Sequence, residues 1–201
     1  AALAGDEELI ADFNTGVDIH TKTAAEVFEV PMEEVSKQQR RIAKVVNFGV
    51  LYGMGAKRLA DQTGMSMKEA ADFVKSYRFV RKPLMNYLDE VLEQAKSEGF
   101  VETYYGRRRP SQDVNSANVF IRKSAERAAR NMPIQGTEAD LMKRAMIQLD
   151  KVLPEGAELV LQIHDSVVVE CDDALVNEVS EIIKSEMEKI APELDIKLAV
   201  D

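Results

Sequence analysis

The chain has 201 residues, 45% of them hydrophobic and 30% charged, which allows one sizeable core and excludes a disordered or membrane-like composition. No apolar run reaches the about eighteen residues of a membrane span and no basic-then-apolar leader is present; the one cysteine, Cys171, excludes an internal disulfide and suggests no zinc cluster, so a reducing, cytoplasmic setting is expected. The net charge of −9 weighs against nucleic acid as a partner, but residues 152–201 hold 13 Asp and Glu against 3 Lys, so the rest is near neutral and has room for basic clusters.

Residues 9–13 and 21–28 have the apolar spacing of short helices, the second with Asp18 or Thr21 as N-cap. A longer helix is expected over 36–51, closed by Gly53 and Gly55, then two more over 66–80 and 83–98, punctuated by Gly64 and Gly99. Residues 100–105 suit a short strand running into Arg107, Arg108 and Arg109. Helices follow over 119–131 and 136–153, separated by Met132-Pro133-Ile134-Gln135. The period then changes: 159–163 and 167–170 are β-branched runs around His164-Asp165-Ser166, the pattern of a β-hairpin. A helix over 173–190 and a strand over 196–200 complete an α+β chain, a helical part followed by a small antiparallel sheet backed by helices.

Basic side chains cluster in 36–60, where Lys37, Arg40, Arg41, Lys44, Lys57 and Arg58 stand without a carboxylate, and again in 107–109 and 122–130. Taken singly, each cluster reads as a solvated basic helix face. The first has a further pattern. Arg40, Lys44, Phe48 and Tyr52 are spaced by four and share one side of a helix, while Ile42, Val45, Val46, Gly49 and Val50 fall on the other. Two cations followed by two aromatics suit a nucleoside triphosphate, the cations meeting phosphates and an aromatic face lying against sugar and base. An ordinary amphipathic helix remains the alternative on spacing alone.

The identities go further. Arg40-Arg41-Ile42-Ala43-Lys44-Val45-Val46-Asn47-Phe48-Gly49-Val50-Leu51-Tyr52-Gly53 resembles the fingers-helix signature of family A DNA polymerases, the bacterial DNA polymerase I type. Asp18-Ile19-His20-Thr21, Gly106-Arg107-Arg108-Arg109, the run from Ala125-Glu126-Arg127 through Asn131-Met132-Pro133-Ile134-Gln135-Gly136-Thr137, and Gln162-Ile163-His164-Asp165 resemble further motifs of the family, in family order over nearly the whole chain.

The resemblance implies template-directed DNA synthesis from deoxynucleoside triphosphates in replication or repair. In it, Arg40 and Lys44 bind the triphosphate, His20 helps at the phosphates, and Lys44 protonates the departing pyrophosphate. Phe48 lies against the incoming sugar, and its being Phe implies rejection of dideoxynucleotides. Tyr52 sits by the templating base when the fingers are open. Arg107, Arg127, Asn131, Gln135, Gln162 and His164 contact the primer-template, the last two probing the minor groove. Asp165 is the expected ligand of two Mg²⁺ ions. Each has a plainer alternative: Asn131 as a helix C-cap, Gln135 as a turn residue, His164 as a satisfied hairpin histidine, Asp165 as a structural turn residue.

The resemblance also implies a partition into palm entry at 1–20, fingers at 21–105 and palm at 106–201. The family's first metal-binding aspartate and its ribose-excluding glutamate belong upstream of residue 1, so the chain is expected to be part of a larger polymerase and inactive without the rest of palm and thumb. Two internal departures stand out: Ser166 replaces the Glu that usually follows His-Asp, and Tyr77 to Pro83 is one residue off the family's usual aromatic-to-proline spacing. A non-catalytic nucleic-acid-binding relic of the scaffold is the second reading. A single-subunit RNA polymerase shares the architecture but not the arginine turn, nor Gln162-Ile163-His164-Asp165 together with Asn47-Phe48-Gly49.

Overall fold

The structure, a computed structural model, describes residues 1–51 and 53–200, with Leu51 by its backbone alone. Helix starts follow side chains that satisfy the free amides of a first turn. Asp6 accepts Leu9 N at 3.0 Å and opens α1 (Glu7–Thr15). Asp18 accepts His20 N and Thr21 N and opens α2 (Ile19–Phe28). A reciprocal box opens α3 (Lys37–Leu51): Ser36 Oγ accepts Gln39 N at 3.2 Å and Gln39 Oε1 accepts Ser36 N at 2.8 Å. Beyond α3, Gly53 at φ 73° turns the chain while Met54 N donates to Gly49 O at 2.7 Å and Gly53 N to Val50 O at 3.0 Å, a Schellman pairing.

A helix not anticipated from the sequence follows, α4 (Ala56–Thr63), which buries Leu59 and Ala60. It is two turns long and lies between Gly55 and Gly64, so the two glycines masked its short apolar stripe. Next come α5 (Met67–Val80), with a Ser66–Glu69 capping box, and α6 (Lys82–Glu98). Arg81 alone separates them, at φ −100° and ψ 41°. Across this junction Tyr77 is buried, Phe79 is 82% exposed, and Arg81 turns inward to 3% exposure.

The apolar back of α3 meets these helices. Ile42, Val46 and Val50 pack with Leu59, Phe73, Tyr77, Met85 and Leu88, and Phe28 meets Phe73 edge-on at 5.2 Å. Each such side chain contributes about 1.5–3 kcal/mol when fully buried. A second cluster joins Val91, Leu92 and Ala95 of α6 to Val101, Val114, Ala129 and Met132.

Three expectations are corrected beyond α6. First, residues 100–105 are not one strand: β1 (Phe100–Glu102) pairs antiparallel with β2 (Arg108–Pro110), so the arginine cluster is itself the return strand. Gly106 at φ 79° allows the reversal.

Second, the two helices expected on either side of Pro133 are one, α7 (Val119–Val152), 34 residues long with Pro133 inside. Asn131 is therefore no C-cap and Gln135 no turn residue. A proline inside a helix removes one amide donor and crowds the preceding turn, a cost of about 3 kcal/mol. Burial of Ala129, Met132 and Pro133 holds the helix through it.

Third, residues 196–200 form no strand. Their neighbourhood is tied by side chains instead: Asn14 Nδ2 donates to Asp195 O at 3.0 Å, Lys197 N donates to Asn14 Oδ1 at 2.6 Å, and Val200 N donates to Glu188 Oε1 at 3.3 Å. The expected hairpin is present as β3 (Ala157–Ile163) and β4 (Ser166–Cys171), with an irregularity between Leu159 and Leu161. The helix expected over 173–190 is a short 3-10 turn followed by α8 (Val176–Glu188). The class is α+β, helices with two separate two-stranded antiparallel sheets.

Candidate functional site

The polar front of α3 faces α2. Because α2 starts at Asp18, that carboxylate both caps the helix and accepts Arg40 Nε at 2.7 Å, fixing the guanidinium beside the first turn. The hydrogen bond from Arg40, with help from Thr21 and the α2 amides, holds the Asp18 carboxyl well below the usual carboxylate range. His20, one turn in, places its ring 5.7 Å from that of Phe48. Its imidazole titrates below its ordinary value. Partial burial is the main cause; Asp18 pulls the other way, and the nearby Arg40 and Lys44 cations add to the lowering. Lys44 is exposed and Phe48 is 51% exposed. Thus His20, Arg40, Lys44 and Phe48 share one open surface of two cations, an imidazole and an aromatic face. Tyr52 lies outside the described residues.

Behind this surface runs a partly buried polar chain that residue spacing did not single out. Asn47 Nδ2 lies 3.0 Å from His20 Nδ1, and the Asn47 amide meets Thr23 Oγ1 at 3.3 Å. Arg81 Nη2 donates to Thr23 Oγ1 at 3.0 Å and lies 2.8 Å from Glu26 Oε2. Asn47 stood in the quoted motif without a role; only the fold brings it against His20, 27 residues earlier in the chain.

The second group lies along α7. Arg127, Asn131 and Gln135 are spaced by four and share a flank of that helix. Arg127 lies over Gly53, where a Cβ would meet Arg127 Cγ at 2.8 Å, and Ile134 packs against the α3 core, so α7 braces α3. The Asn131 side-chain oxygen is buried without a hydrogen-bond partner among the described residues.

Arg107 is held against the same helix by Asp140, which the sequence reading missed. Arg107 Nε donates to Asp140 Oδ1 at 2.7 Å and Thr103 Oγ1 donates to Asp140 Oδ2 at 2.8 Å. Burial would raise the Asp140 pKa, but those bonds and the Arg107 and Lys143 charges hold it below the ordinary value. Gly136 makes room for this contact, since a Cβ there would lie 2.6 Å from Thr103 Cγ2.

Asp165 sits at the two-residue tip of the β3–β4 hairpin, between paired Ile163 and Ser166, and is exposed. His164 takes the positive φ of 54° that the tight turn requires, and Gln162 Nε2 donates to His164 O across it. Ser166 Oγ turns back to Ile163 O at 2.9 Å. Among the described residues, no three His, Cys, Asp or Glu side chains converge into a cation site. The hairpin packs on α7, so that helix links the aspartate tip to the brace behind α3.

The family model that matches is DNA polymerase family A, over residues 1–201. The chain belongs to this family. It is 45% identical to the thermostable DNA polymerase I of Thermus thermophilus and 46% identical to DNA polymerase I of Pseudomonas aeruginosa, in both cases over 100% of its own length. It spans 24% and 22% of those relatives, so about a quarter of a curated DNA polymerase I. Among solved structures it superposes on the POL domain of Pol1 from M. smegmatis, a complex with DNA primer-template and dNTP, with a TM-score of 0.91 and 36% identity, covering 100% of this chain and 36% of that one. As a family A chain it comprises the fingers and part of the palm. No described helix is long and apolar enough to cross a membrane.

Proposed function

We propose that this chain carries the nucleotide-handling surface of a template-directed DNA polymerase, one that adds deoxynucleoside triphosphates to a primer 3′ end. The observation that carries this reading is the convergence of His20, Arg40, Lys44 and Phe48 on one open face, with Arg40 fixed by Asp18. Arg40 and Lys44 bind the triphosphate. Lys44 gives its proton to the pyrophosphate as negative charge develops there, and Phe48 supports the incoming sugar. Arg107, Arg127, Asn131, Gln135, Gln162 and His164 bind the primer-template, backbone contacts giving register and minor-groove contacts checking pair geometry. Tyr52 is proposed to sit by the templating base. On the proposed partition, 1–20 enters the fingers, 21–105 forms them and 106–201 belongs to the palm.

Polymerases of this kind use Mg²⁺, which when bound neutralises charge on the phosphates and primer hydroxyl. The described residues do not make such a site alone: one exposed carboxylate cannot hold two divalent ions against their repulsion. Asp165 is proposed as one ligand, with the others supplied by the rest of a full-length protein, and the chain alone is proposed to be inactive.

The test is primer extension by full-length protein containing this chain. Asp165→Ala should abolish extension while leaving primer-template binding largely intact, and Lys44→Ala should weaken dNTP affinity and lower turnover by about 10²–10⁴. Extension that survives Asp165→Ala would refute the reading and favour a non-catalytic scaffold.

A further inference from the structure

The first turn of α7 is held in place yet leaves apolar side chains in solvent. Asn118 caps it, its side chain accepting Phe120 N at 2.9 Å and Ile121 N at 3.4 Å, and Arg122 Nη1 donates to Ser116 O at 2.8 Å. Phe120 is nevertheless 87% exposed, and Val119 and Ile121 on either side are exposed as well. One exposed apolar residue needs no explanation, but three in a single capped turn form a patch with an aromatic ring at its centre.

The position of the ring along the helix gives the patch a direction. Phe120 precedes Arg127 by seven residues, two turns that drift by only about 20°, so it stands on the flank that carries Arg127, Asn131 and Gln135. It lies about 10 Å further toward the start of α7. At Arg127 this flank lies over Gly53, whereas at Phe120 no described residue covers it. The surroundings are cationic. Arg130 is paired with Asp89, which leaves Arg122, Lys123 and Arg127 against Glu126 in this part of the helix. Beside the flank, Ser124, Ala125 and Ala128 keep the helix surface low and line an open cavity of about 470 Å³ with Arg109 of β2 and Asp113.

We propose that Phe120 is an apolar seat for the sugar–phosphate edge of duplex primer-template, extending toward the start of α7 the contact assigned to Arg127. The proposal rests on the polymerase reading above. Covering the ring with another part of a protein would also take Lys123 and Arg122 out of water with too few carboxylates in this chain to balance them. A DNA strand answers both needs. Its phosphates meet the cations, and the C–H face of a deoxyribose meets the ring without any base being read. Phe120 therefore adds affinity that does not depend on sequence or on the release of counterions.

That last property separates the seat from the cations around it. In full-length protein containing this chain, primer-template binding is followed by fluorescence anisotropy across a series of salt concentrations. Phe120→Ala should raise Kd by about three- to tenfold, as expected for one aromatic ring partly covered on binding, with the slope of log K against log salt unchanged. Phe120→Leu, which stays apolar, should recover part of the loss. Lys123→Ala should instead flatten the slope by about one. Because no described residue packs over the ring, Phe120→Ala should leave the thermal midpoint of the full-length protein where it was.

An unchanged Kd, a changed salt slope in Phe120→Ala, or a loss confined to single-stranded DNA would overturn the seat. A lowered thermal midpoint with unchanged Kd would show that the rest of the protein covers the ring, and would overturn it too. Each of these leaves the polymerase reading standing. Failure of that reading appears separately, as a wild type that does not bind primer-template or as extension that survives Asp165→Ala.

Discussion

Asp140→Asn isolates the carboxylate that anchors the arginine turn. In the wild type, one oxygen accepts Thr103 Oγ1 and the other accepts Arg107 Nε, at 2.8 and 2.7 Å. The amide can keep its oxygen on Arg107 Nε and turn its nitrogen to the Thr103 hydroxyl, which accepts as well as donates, so what the substitution removes is the carboxylate charge from both bonds. A hydrogen bond to a charged group is worth about 1.5–3 kcal/mol, but the Arg107 side chain is 55% exposed and solvent discounts its share, leaving about 1–2 kcal/mol.

The pH dependence gives a second check. Because the folded-state pKa of Asp140 is depressed, its contribution is complete above the unfolded carboxylate pKa and is lost as pH falls through the folded value. Urea unfolding followed by circular dichroism should therefore show the variant less stable by about 1–2 kcal/mol at neutral pH, with an unchanged m-value. The gap should close on acidification below the ordinary carboxylate range. Equal stability at neutral pH, or a gap that persists when the wild-type carboxyl is protonated, would refute the anchoring argument.

Gly136→Ala improves helix propensity by about 1 kcal/mol yet places a methyl 2.6 Å from the Thr103 Cγ2 methyl on a buried, β-branched side chain; overpacking of about 1–3 kcal/mol should win, and a raised thermal midpoint would contradict it. Asp18→Ala should cost about 1 kcal/mol through lost capping of α2 and, by removing the one acidic pull on the imidazole, should lower the His20 titration midpoint further in an NMR titration; an upward move would be inconsistent with the α2–α3 geometry. A full-length enzyme with Phe48 should reject dideoxynucleotides in competitive primer extension and Phe48→Tyr should relax that rejection; equal use of both nucleotides by the wild type would remove Phe48 from the sugar contact.

The two-sided character of α3 was legible because it is a matter of periodicity: residues four apart must share a flank, and the apolar back at Ile42, Val46 and Val50 is buried as that pattern requires. Helix starts at Asp18 and Ser36, and the hairpin around His164-Asp165, were equally local, being set by one side chain and the next few amides. The family could be identified because long runs of identity lie in order along the chain. Asp140 and Asn47 gave no such signal. Each is an unremarked polar residue in a helix, and each matters through a partner 33 or 27 residues away.

The same division explains the corrections. Taken alone, the sequence determined the helix starts at Asp18 and Ser36 and the hairpin at His164-Asp165, which face of α3 is apolar, where the cations and aromatics cluster and to which family the chain belongs, because all of these are written in near neighbours or in motif order. Only the tertiary structure decided that α7 runs unbroken through Pro133, that the arginines return as a strand, that residues 196–200 are tied to Asn14 and Glu188 rather than to a sheet, and that Arg81 points inward to Thr23. These outcomes are set by contacts between residues distant in the chain, whose packing and hydrogen-bond energies exceed the local preferences they override.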